Sequence, residues 1–233
     1  KAHWHEDVAA VLIASPSNPT GTVSKQQDLL AIADFLASQG SVLIVDEIYQ
    51  GLNYASAPSS VAGLRDNIFV INSFSKYFGM TGWRIGWCVA PPAYISSLDA
   101  IAQNTYLASS TPAQYAALAA FQQDTLAIVE QRRVIFQQRR DLMCAALNDL
   151  PLHVPCIPQG AFYIYANVAK VSADSFHFCQ QLLEDTGVAV TPGCDFGQQQ
   201  AHHYIRFAYT NSEQRLREGM DRLRVFLQGR ELT

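Results

Sequence analysis

Charge is scarce in this chain, and what there is nearly cancels. Only 15% of the 233 residues are charged, and 16 Lys plus Arg against 20 Asp plus Glu leave a net −4. No basic field is available to hold nucleic acid or an acidic lipid surface. Long apolar runs are missing too: none approaches the ~18 residues of a membrane span, so no membrane partner is expected. The opening stretch KAHWHEDVAA has neither an initiator Met nor an apolar signal core, and the chain reads as a portion of something longer. No CxxC pair occurs. Five widely spaced cysteines (Cys88, Cys144, Cys156, Cys179, Cys194) read as reduced, mostly buried thiols of a cytoplasmic protein, not a disulfide frame. The histidines lack ligand spacing, and no metal site is expected. Walker and GxGxxG sequences, internal repeats and low-complexity tracts are absent as well.

Apolar residues are abundant, at 49% with 11% aromatic, which marks a folded protein. Continuous apolar runs at residues 11–14, 42–45 and 68–71 read as strands covered on both faces, as in a parallel sheet flanked by helices. Between the first two lies a helix, with Ser24 and Gln27 as a capping box, Leu29, Leu30, Ala33 and Leu36 as the buried stripe, and Gly40 at its end. Strand, helix, strand makes a βαβ crossover, and such sheets bind ligands at the carboxyl ends of their strands. Residues 112–150 turn helical, with Thr111 as a cap, Pro112 in the first turn and a break expected near residues 122–125. Aromatic strands follow at 162–165 and 204–209. Helices are expected at about 175–185 and 213–227, the latter preceded by Asn211. The expected fold class is α/β, a mostly parallel sheet with flanking helices, plus a smaller α+β C-terminal domain. The expected division is 1–125, an interdomain helix at 126–150, and 151–233. Trp83, Trp87 and Phe162 read as core rather than pocket.

Polar residues cluster directly after these strands. Lys76 follows the third, among Ser73, Ser75, Thr81 and Arg84. Alone it reads as a solvated loop lysine; with its neighbours it sits beside a phosphate cradle of hydroxyls, backbone donors and a guanidinium. Asp46 ends the second strand, as a helix cap, a Mg²⁺ ligand or a partner for a ring nitrogen. Tyr49 lies three residues on, and Asn18 follows the first strand in a Pro-Gly turn. Pyridoxal 5'-phosphate uses all of these: a lysine for its aldehyde, an acid for its pyridine nitrogen, donors for its phenolic oxygen and an anion site.

SNPTG at residues 17–21, DEIY at 46–49 and SFSKYFGMTGWRIG at 73–86, in this order and spacing, resemble the class I/II aminotransferases of the fold-type I pyridoxal phosphate enzymes. The likeness extends to YIRFAYTNS at 204–212. It implies an incomplete large domain of that fold and transfer of an amino group from an amino acid to a 2-oxo acid through a Lys76 Schiff base. Lys76 would be catalytic, Asp46 would pair with the pyridinium, and Tyr49 and Asn18 would contact the phenolic oxygen. Ser73, Ser75 and Arg84 would hold the phosphate. Arg206 would grip the substrate's α-carboxylate, a role its planar fork suits; a salt bridge to a helix acid is the alternative.

The resemblance also implies a longer, homodimeric protein of amino acid metabolism. The region upstream of SNPTG would add a phosphate-binding loop, a ring stacked on the pyridine and a tyrosine reaching the neighbouring subunit, so the isolated chain is expected to be inactive or weakly active. The same motifs leave room for a lyase, decarboxylase or synthase of this fold, or for the aminotransferase-like effector domain of a transcription regulator.

Overall fold

The computed structural model describes residues 4–55 and 59–228. The chain divides into two compact units, residues 1–17 with 23–133, and residues 18–22 with 134–233.

In the first unit, β1 (Ala10–Ala14), β2 (Val42–Asp46) and β3 (Ile68–Ser73) lie side by side in parallel, and β4 (Gly86–Val89) joins antiparallel on β3. The sheet is thus mixed and mostly parallel, with flanking helices. Helix α1 (Gln26–Ser38) buries Leu29, Ala33 and Leu36 against Leu43, Val45, Ile68 and Val70. Each buried leucine contributes about 1.5–3 kcal/mol. The expected capping box does not form. Lys25 is the N-cap without a side-chain bond, because the Ser24 N–H donates instead to Ser15 Oγ at 2.9 Å. Gly40, at φ +72, turns the chain beyond the helix.

Among the described residues the two faces of the sheet are covered unequally. Leu43 and Val45 are fully buried on the α1 side, whereas Leu12 (65%) and Ile71 (43%), on the alternate positions shared with Ile44 and Asp46, stay exposed. Period-two alternation puts these residues on the face away from α1, where the Phe69 ring meets that of Tyr94 edge-on, centroids 5.0 Å apart. Trp83 and Trp87 are also exposed rather than core. Three of the five thiols, Cys88, Cys156 and Cys194, lie at the surface and two are buried; all five are free, so the expectation of mostly buried thiols fails.

Helices α2 (Ile95–Thr105), α3 (Thr111–Ala120) and α4 (Gln123–Asn148) follow. The interruption falls at Phe121 and Gln122, at the start of the expected place, where both N–H groups turn back to the last carbonyls of α3. Thr111 is the first helical residue, not the cap; Ser110 takes the cap position without a side-chain bond.

The second unit holds an antiparallel sheet in the order β5 (Tyr163–Asn167), β7 (Tyr204–Ala208), β6 (Thr191–Pro192), with α5 (Ser175–Thr186) and α6 (Glu213–Gln228). Its core includes Ile164, Ile205, Phe178, Leu182 and Leu223. Asp174 caps α5, accepting from the N–H groups of Phe176 (2.8 Å) and His177 (3.3 Å), and Gly187 at φ +71 ends it. At α6 the cap is Ser212, whose Oγ accepts from the Arg215 N–H at 3.4 Å, and not Asn211. Residues 18–22 join this unit because the Gly21 carbonyl accepts from the N–H groups of Gln159 (2.8 Å) and Gly160 (2.9 Å). Gly21 has φ +68, and a Cβ there would lie 2.5 Å from Pro158, so only glycine fits. No described helix is long and apolar enough to cross a membrane.

Candidate active site

Within the first unit, the carboxyl ends of β2 and β3 are adjacent, since Asp46 pairs with Ile71. Asp46 is half-buried and its Oδ1 accepts from the Ile48 N–H at 3.0 Å, which orients the carboxylate. The next residue, Glu47, points into the protein. It is 3% exposed, and its Oε1 accepts from the Val61 N–H at 3.1 Å. Burial pushes its carboxyl above the usual range, against the pull of its bonds from Ser60 and Val61. A tight turn follows, with the Gln50 N–H on the Glu47 carbonyl and the Leu52 N–H on the Tyr49 carbonyl (both 2.8 Å), and it buries Tyr49.

The Lys76 segment is held from beneath. Phe74 is buried with Ala117 and Ala120, its ring meeting Phe78, Trp87 and Phe121 at centroid distances of 4.9, 5.0 and 5.6 Å. The Gly79 N–H bonds the Lys76 carbonyl at 3.1 Å, and the Met80 N–H bonds the Phe74 carbonyl at 3.0 Å. These contacts leave the half-buried Lys76 with its Nζ 5.8 Å from the centroid of the Tyr49 ring. Ser73 and Ser75 touch through their hydroxyls at 2.9 Å, and Ser73 Oγ also accepts the Ser75 N–H at 3.0 Å. Thr81 Oγ1 donates to the Ser75 carbonyl at 2.7 Å, which spends its hydrogen. Arg84 is exposed at φ 52, and its guanidinium donates to the Thr81 carbonyl at 3.0 Å; no hydrogen bond joins it to Ser73 or Ser75.

In the second unit, Arg206 on β7 and Asn18 come together. Arg206 donates to Asn18 Oδ1 at 2.8 Å and to Thr191 Oγ1 at 3.2 Å. Its guanidinium carbon lies 4.1 Å from the Tyr163 ring centroid and 4.6 Å from that of Phe196. Its Nε is buried with no partner, and no salt bridge to it forms among the described residues. The helix-acid alternative is therefore absent. What remains is a cation bound to neutral oxygens and ring faces, with its charge unmatched. The chemistry of that setting is anion recognition.

Several of these residues are given no role by the sequence. Tyr163 on β5, and Thr191 and Phe196 in residues 190–197, a stretch that resembles the family's loop near the substrate, surround Arg206 from two segments, but nothing in the sequence ties them to it. Glu130 on α4 accepts from the hydroxyl of Tyr77, beside Lys76. Phe74 is the exception, as an apolar residue fixed between two serines.

The family model for aminotransferase class I and II matches residues 1–223. The chain belongs to that family, whose members generally depend on pyridoxal phosphate. It is 35% identical to the valine–pyruvate aminotransferase of Mycobacterium tuberculosis over 93% of this chain and 56% of that protein. It is 34% identical to the aspartate aminotransferase of Pyrococcus abyssi over 100% of this chain and 61% of that one. Among solved structures, an aminotransferase from Mycobacterium tuberculosis superposes with a TM-score of 0.93 at 34% identity, covering 98% of this chain and 60% of the other. The chain thus spans a little over half the length of the curated relatives it matches.

Proposed function

We propose that this chain carries the catalytic lysine of a pyridoxal phosphate-dependent aminotransferase, which moves an amino group from an amino acid to a 2-oxo acid. The observation that supports it most is the pairing of Lys76 with Tyr49 at adjacent strand ends, beside the oriented carboxylate of Asp46. The donor set fits the group: one amine, one carboxylate, two touching hydroxyls, and elsewhere an arginine whose charge no acid answers. When bound, pyridoxal phosphate supplies an aldehyde that condenses with amines and a ring that takes up electrons as a proton leaves the substrate's α-carbon. Lys76 provides the amine for that aldehyde and, once freed, carries the α-proton. Asp46 holds a proton on the ring nitrogen, and Tyr49 donates to the phenolic oxygen. Ser75, with Ser73 and Arg84, binds the phosphate. Arg206 takes the substrate's α-carboxylate. Asn18, its amide oxygen engaged by Arg206, keeps N–H donors for the phenolic oxygen. The reading includes a cytoplasmic homodimer; the free thiols support the first term, and exposed Tyr115 and Leu118 on α3, with Phe121 just after it, support the second.

Incubation with pyridoxal phosphate, borohydride reduction and peptide mapping test the reading. A pyridoxyl group on Lys76, lost in Lys76→Ala, is expected, and in the full-length protein the variant should lose at least ~10³-fold in transfer rate, the scale of a lost proton-transfer group. Labelling that spares Lys76, or persists undiminished in the alanine variant, would overturn it.

A further inference from the structure

The residue after Lys76 ties together the two loops that matter most in the first unit. The Tyr77 side chain lies against Gly51 in the Tyr49 turn. A Cβ on Gly51 would sit 2.3 Å from Tyr77 Cγ and 2.5 Å from its Cδ2, so the fit requires glycine. The hydroxyl of Tyr77 donates to Glu130 Oε1 on α4. The other carboxylate oxygen of Glu130 accepts from Arg133 Nε at 2.8 Å, and an Arg133 NH1 donates to the Asn53 carbonyl at 3.1 Å. Asn53 ends the same turn that Gly51 occupies. The path therefore closes on itself: turn, tyrosine, glutamate, arginine, turn.

Nothing in the proposed chemistry uses these groups. We propose that Tyr77 is a positioning residue, a strut that sets the distance between Lys76 and Tyr49 by bracing the lysine loop against the Tyr49 turn and α4. The strut rests on the reading of Lys76 given above. Its parts suit the task. An edge-to-face contact with Phe78, centroids 5.0 Å apart, further holds the ring. Burial, and then the Glu130 carboxylate, push the Tyr77 hydroxyl up to about 12, so it keeps its proton and acts as donor through the neutral range. Burial raises Glu130, but its bonds from Tyr77 and Arg133 outweigh that and hold it below its ordinary value, so it stays an acceptor. A donor that never ionises and an acceptor that never protonates near neutrality make a link insensitive to small pH changes.

Three variants of the full chain test the strut: Tyr77→Phe, Tyr77→Ala and Gly51→Ala. Amide hydrogen exchange is read at Leu52, bonded to the Tyr49 carbonyl, and at Gly79, bonded to the Lys76 carbonyl. In Tyr77→Phe both should exchange about tenfold faster, the factor for one hydrogen bond of typical net strength. The rate of borohydride-trapped labelling at Lys76 should fall several-fold in Tyr77→Phe and in Gly51→Ala. Tyr77→Phe should recover most of the unfolding midpoint lost in Tyr77→Ala without recovering the labelling rate. A purely structural tyrosine would recover both together, and that result overturns the proposal, as does unchanged exchange in Tyr77→Phe. Absence of Lys76 labelling in the wild type would sink the cofactor reading instead, and the exchange measurement would still decide whether the two loops are braced.

Discussion

Lys76 and Arg206 are held in opposite ways. The lysine sits on a segment fixed through its backbone and its neighbours: Phe74 beneath it, two turn hydrogen bonds around it, Tyr77 beside it. The arginine is fixed through its own side chain, by Asn18, Thr191 and two aromatic rings. A group that must form and break bonds gains from a rigid base beneath it. A group that must recognise a planar anion gains from a tip whose plane is already set, because less freedom is then lost on binding.

Three substitutions can break or sharpen this contrast. The largest effect is expected for Phe74→Ala, which empties the packing under the lysine loop and should cost about 3–5 kcal/mol in denaturant unfolding. A cost below ~1 kcal/mol would mean that the loop is held by its hydrogen bonds alone. Next comes Arg206→Lys, which keeps the charge and loses the plane. Stability should change little, while on the proposed function KM for the amino acid, measured in the full-length protein, should rise about 10–100-fold, the loss of charge-assisted hydrogen bonds. Steady-state kinetics check it; an unchanged KM would show that the plane is irrelevant. The smallest concerns Glu47, the buried neighbour of Asp46. Its carboxyl is raised above the unfolded value, so its contribution to stability is complete below about pH 4.3 and is lost as pH climbs through the raised value. Glu47→Gln, neutral throughout, should therefore gain on the wild type between pH 4 and 7, by less than ~1 kcal/mol. Thermal unfolding across that range reads it, and a constant difference would refute it.

What was legible in the sequence followed contiguity. The runs at 11–14, 42–45 and 68–71 became β1, β2 and β3 because a continuous apolar stretch bounded by polar residues has few other uses. The motif residues at the ends of β2 and β3 could be read for the same reason, each sitting next to its strand. β4, the four residues from Gly86, was missed, since its partner β3 lies across a loop and its own pattern is too short to signal a strand. The α1 cap was misjudged because the N–H of Ser24 had a better acceptor nine residues upstream. Tyr77 and Glu130 lie 53 residues apart, and nothing local marks either as the other's partner. Residues 190–197 resemble the family's loop near the substrate, but the two-residue strand within them is visible only through the pairing of Thr191 with Arg206.

The hydrogen bond between Arg206 and Asn18 spans 188 positions of chain. Each residue sets how the other is turned, so their substitutions should not add: the double variant should be less harmful than the sum of the two singles. Across evolutionary time the pair is a single heritable character, and drift at either end would be expected to drag the other with it.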